Sequence, residues 1–123
     1  MKRYIISILC LCIISACRPQ ISGNVGAQPD IFPDYRDVTV PVNIAPMNFE
    51  ILSQDGLDWR AVIRGVSDSL TIRSNDGLMS FRIRQWRRLL QENAGGQLRV
   101  EVLEKRKDGW YAYQPFMMHI SED

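Results

Sequence analysis

Leu98-Arg99-Val100-Glu101-Val102 alternates apolar and charged residues, Lys107-Asp108-Gly109 interrupts the run, and Trp110-Tyr111-Ala112-Tyr113-Gln114-Pro115-Phe116-Met117-Met118-His119-Ile120 takes it up again. Successive side chains of a strand point to opposite faces, so a period of two marks one face for the core. Asp-Gly at the break tolerates the positive φ of a tight hairpin turn. The two runs predict a long antiparallel hairpin, with Trp110, Ala112, Phe116, Met118 and Ile120 sharing one parity.

The same period extends toward the N-terminus. Met47, Phe49 and Ile51 alternate with Asn48, Glu50 and Leu52, and Gln54-Asp55-Gly56 supplies a turn. Trp59, Ala61 and Ile63 then alternate with Arg60, Val62 and Arg64. Leu70 and Ile72 make a short strand, Asn75-Asp76-Gly77 turns the chain, and Met79 to Ile83 returns from that turn as the next strand. Val38 and Val40 stand before Pro41, which removes a ladder donor and suggests an edge strand. One segment breaks the rule: Trp86, Leu89 and Leu90 fall at i, i+3 and i+4 before the stop Asn93-Ala94-Gly95-Gly96. Residues 84–93 are therefore expected to form a short amphipathic helix lying across an open end or face of the sheets. The fold class is mainly β, a small β-sandwich-like domain over residues 30–123 with one helix; a partly open β-barrel is the alternative.

Upstream, residues 18–29 are polar and carry Pro19, Gly23, Gly26 and Pro29, the composition of a flexible tether. Before them stands a leader, residues 1–16, with Lys2 and Arg3 ahead of an apolar run from Tyr4 to Ile14. Ile14-Ser15-Ala16-Cys17 closes it, the pattern of a bacterial lipoprotein signal cut before Cys17, whose thiol takes the lipid. The run is shorter than the roughly 20 residues a spanning helix needs. Cys10 and Cys12 leave with the leader, so the mature chain has no free thiol and no cysteine metal ligand. No acidic residue follows Cys17 closely, which leaves a periplasm-facing outer-membrane site as the expected location.

The chain has 15 Lys+Arg and 14 Asp+Glu; loss of Lys2 and Arg3 leaves 13 against 14, a net of −1. Nucleic acid is not an expected partner for so balanced a chain outside the cytoplasm. Basic residues nonetheless crowd between Arg60 and Lys107, which can steer an acidic partner or simply solvate strand faces.

Catalytic chemistry is poorly represented. His119 is the only histidine, without a second ligand for zinc or an evident orienting partner in the sequence. Ser67, Ser69 and Ser74 lack a nucleophile-elbow frame, and the carboxylate pairs Asp55/Asp58 and Glu101/Glu104 have spacings that loops and solvent faces supply freely. The reading is no enzyme, no metal and no cofactor. Trp59, Trp86 and Trp110 are expected in the core, while Tyr111 and Tyr113 take the other parity. Tyr111 and Tyr113, with Arg84, Arg87 and Arg88, are the candidate binding residues, because aromatic faces and guanidinium groups together suit glycan or peptide recognition.

Pro29-Asp30-Ile31-Phe32-Pro33-Asp34-Tyr35, Val38-Thr39-Val40-Pro41-Val42-Asn43-Ile44-Ala45-Pro46-Met47-Asn48-Phe49, Trp86-Arg87-Arg88-Leu89-Leu90 with Gly95-Gly96, and Gly109 to Phe116 complete the picture. In these strings the chain resembles the N-terminal domain of a family of uncharacterised lipoproteins from Gram-negative gut anaerobes. In that family the domain continues into a TolB-like β-propeller, and the resemblance implies such a C-terminal part as one partner. The chain ends at Asp123, where the propeller would begin, so no propeller activity carries over. Two function classes follow: a non-catalytic protein-interaction or scaffold module on the envelope, and a glycan- or peptide-binding lipoprotein. A flat apolar patch would mark the first and a concave aromatic pocket the second.

Overall fold

The computed structural model describes residues 19–53 and 55–122; the leader, Cys17 and Arg18 lie outside them. Strand β8 (Gln97–Arg106) is the axis of the fold. Its inward residues Leu98, Val100 and Val102 are buried, and it pairs along its length with β5 (Asp58–Arg64), which pairs in turn with β6 (Ser69–Ser74). On its other side β8 meets two strands in succession, β9 (Gly109–Ala112) and β10 (Phe116–Ile120). Two short strands finish that edge in parallel pairing: β1 (Ile21–Asn24) on β9 and β3 (Thr39–Val40) on β10. Together these make a seven-stranded sheet.

A second sheet has three strands in the order β2 (Ile31–Phe32), β4 (Phe49–Ile51) and β7 (Leu78–Met79). It shares one core with the inner face of the large sheet and with helix α1 (Ile83–Glu92), which buries Trp86, Leu89 and Leu90. Edge-to-face rings join the layers, Phe116 to Phe49 at 6.4 Å, Phe49 to Phe81 at 6.0 Å and Phe81 to Trp86 at 5.0 Å. The protein is thus mainly β, a small sandwich-like domain with open sheets and one short helix, as the periodicity requires.

Three expectations are corrected. Between the pairs Leu103↔Ala112 and Val100↔Phe116, two residues of β8 face three residues, Tyr113 to Pro115. That extra residue is a bulge, and it flips the parity. Phe116, Met118 and Ile120 face the core, but Trp110 lies half-buried on the outer face while Trp59 and Trp86 are buried. Second, the strand after the 75–77 turn is only Leu78–Met79, not Met79 to Ile83, and it pairs with β4 rather than β6. Asp76 accepts the Leu78 N–H, Gly77 takes φ +89°, and its carbonyl accepts the Ile51 N–H at 2.9 Å, so the turn carries the chain across to β4.

Third, residues 21–29 are built into the body rather than left as a tether. The Val25 N–H donates to Ala112 O and the Gln114 N–H to Ala27 O, both at 2.8 Å, and Pro29 is fully buried. Their polar composition was a poor guide because pairing needs only backbone groups, and β9 offers an open edge. Gly23 is required there: a Cβ would stand 2.9 Å from Tyr111 Cε1.

Candidate functional site

Three places in this domain stand out, one a buried polar network and two of them exposed faces. The first is at the β9 end of the inner face, where Glu104 continues the parity of Leu98, Val100 and Val102 and is completely buried. Trp59 Nε1–H and the Tyr113 hydroxyl each donate to Glu104 Oε1 at 3.0 Å, and Arg106 Nε donates to Oε2 at 2.8 Å. Burial alone would raise the Glu104 pKa, but hydrogen bonds from Ser53, Arg106, Trp59 and Tyr113 outweigh it and hold the carboxyl below its ordinary value. The same burial pushes the Tyr113 phenol up. Glu104 is ionised and fully engaged, which suits a structural anchor. Glu101, three positions away, is on the other face and bonds Arg64 at 2.9 Å.

Tyr111 is also committed. Gly23 lies close against its ring, the Arg106 guanidinium is 4.7 Å from the ring centroid, and its hydroxyl donates to Asp108 at 2.6 Å. Arg84, Arg87 and Arg88 are exposed on α1, which packs near β6. Two strands, β5 and β8, separate β6 from β9, so the tyrosines and the helix arginines do not share one site. His119 does have a partner that sequence spacing concealed: Asp37, held at φ +61°, places Oδ1 2.8 Å from His119 Nε2. Asp37 is exposed and His119 half-buried, and no group of three potential metal ligands occurs among the described residues.

The second surface is the outer face of the small sheet. Phe32 and Leu78 flank Glu50 in direct register, and Leu52 follows Glu50 on the same parity. Phe32, Leu52 and Leu78 are all more than half exposed, at 67%, 52% and 53%. Scattered exposed apolar residues are ordinary, but a row of them across one small sheet is a patch.

The third surface is the outer face of the large sheet. Here a cleft of about 480 Å³ is lined by Pro19, Ile21, Arg60, Arg64, Arg73 and Leu103, among others. Arg60 stands directly opposite Arg73 in the β5–β6 register, and its guanidinium lies 4.8 Å from the centroid of Trp110. Trp110 is on this outer face and not in the core that its parity predicts; the bulge that turns it outward has no signature in the sequence beyond Pro115. Among the described residues no helix is long and apolar enough to cross a membrane. No family model, curated protein or solved structure matches the chain.

Proposed function

We propose that this chain is an envelope lipoprotein, fixed to the outer membrane through lipid on Cys17 and facing the periplasm, whose folded body is a non-catalytic module that binds another protein. The observation that carries the interaction reading is the exposed row Phe32–Glu50–Leu78 with Leu52 beside it. A flat apolar surface interrupted by one carboxylate suits a protein partner that presents apolar side chains and one cation. The glycan-binding alternative draws less support, because the hydroxyls of Tyr111 and Tyr113 already hold Asp108 and Glu104.

The partner is another envelope protein or a C-terminal propeller part. A photo-crosslinking residue placed at Leu78 in cells is expected to give one discrete protein adduct, and the same residue at Arg87 on the helix none. Equal adduct patterns at both positions, or none at Leu78, would remove the proposal.

A further inference from the structure

We infer that the outer face of the seven-stranded sheet is the surface laid against the bilayer, and that its cleft seats the phosphodiester groups of anionic phospholipids on Arg60 and Arg73. The orientation rests on the proposed lipid at Cys17. Pro19 lines the cleft, and Cys17 is only two residues before it, a reach of at most ~7 Å of extended chain. With residues 21–29 fixed in the body, little slack remains between lipid and cleft. The bilayer surface must then pass close to this face, and the apolar row of the small sheet looks away from it.

The chemistry of the cleft fits that neighbour. Two arginines directly opposite one another on adjacent strands repel, which costs stability unless an anion lies between them. Arg64 and Arg99 share Glu101, at 2.9 and 3.4 Å, whereas no carboxylate pairs with Arg60 or Arg73 among the described residues. Trp110 holds the Arg60 guanidinium from one side, and Arg60 Nε is buried with no hydrogen-bond partner. A phosphate seated in the cleft between Arg60 and Arg73 would offset their repulsion and take the forked contact that guanidinium groups make with phosphate. Exposed Ile21, with Val62, Leu103 and Ala112, supplies apolar wall for the glycerol region of the lipid.

The test uses the mature chain, which contains the whole described body, with Cys17→Ser so that no acyl group contributes to binding. Vesicles of phosphatidylcholine alone and of phosphatidylcholine with phosphatidylglycerol are compared by co-sedimentation. Binding is expected to favour the anionic vesicles at least ~10-fold, and Arg60→Gln with Arg73→Gln to lower that partition roughly thirtyfold. Arg87→Gln with Arg88→Gln, which removes the same charge from the helix, is expected to change it less than about twofold. Arg73→Gln alone, at an exposed site on an edge strand, covers the case in which loss of the Arg60–Trp110 stack disturbs folding. It is expected to weaken binding about fivefold. Equal loss from the helix pair, absence of anionic preference, or displacement by inorganic phosphate at constant ionic strength would overturn the inference. Because the assay carries no lipid anchor, its failure leaves acylation of Cys17 untouched; lack of acylation would remove the orientation argument without altering the vesicle result.

Discussion

Glu104→Leu is expected to destabilise the protein by about 3–5 kcal/mol, the usual cost of removing one partner from a buried charged network. Leucine leaves Trp59 Nε1–H and the Tyr113 hydroxyl buried without their acceptor and frees Arg106. Domains of this size carry about 5–15 kcal/mol in all, so chemical denaturation should show the loss directly. Glu104→Gln keeps an acceptor oxygen and should cost less, about 1–2 kcal/mol.

The pH dependence follows from the sign of the shift. The folded pKa of Glu104 is below the unfolded value near 4.5, so its contribution is fully present above that value and is lost as pH falls through the folded pKa. The stability gap between wild type and Glu104→Gln should therefore be widest at neutral pH and close in acid. A gap that widens in acid, or a leucine variant within about 0.5 kcal/mol of wild type, would contradict this account.

Trp86→Ala is expected to have an effect of similar size, about 3–5 kcal/mol. Trp86 is wholly buried, stacks edge-on against Phe81, and donates Nε1–H to both Ile44 O and Ala45 O at 3.2 Å. The ring thus joins α1 to the irregular segment between β3 and β4, which no strand pairing holds. Trp86→Phe retains most of the packing and loses the donor, for an expected cost of about 1–2 kcal/mol. Urea denaturation followed by circular dichroism measures both. Alanine and phenylalanine variants of equal stability would show that burial of the ring contributes little.

Much of the fold could be read from the chain because one strand face is buried throughout. Leu98, Val100 and Val102 locate the core side of β8, and the helix with Trp86, Leu89 and Leu90 falls within one residue of its expected bounds. The same parity, carried two positions further, reaches Glu104. A carboxylate there was the signal of a buried network, yet pairing it with Glu101 by spacing hid the fact that the two face opposite ways. The bulge at Tyr113–Pro115 left less trace, since a single extra residue inverts every later side chain without altering composition. Strand β1 and the crossing of β7 to β4 depend on which edges are open, and that is a property of the assembled sheet.

The candidate site divides the same way. Arginine content was visible, but the opposition of Arg60 and Arg73 needs the β5–β6 register, and the stack on Trp110 needs the bulge. The exposed row of Phe32, Glu50 and Leu78 needs three strands that lie far apart in the sequence.

Attachment to the membrane is the claim on which the orientation of both faces depends. Cells expressing the full chain are grown with labelled palmitate and fractionated, with Cys17→Ser alongside. The account predicts that the wild-type protein carries label and sediments with membranes, whereas the serine variant carries none and is released as soluble protein. Label and membrane association retained by the serine variant would contradict it.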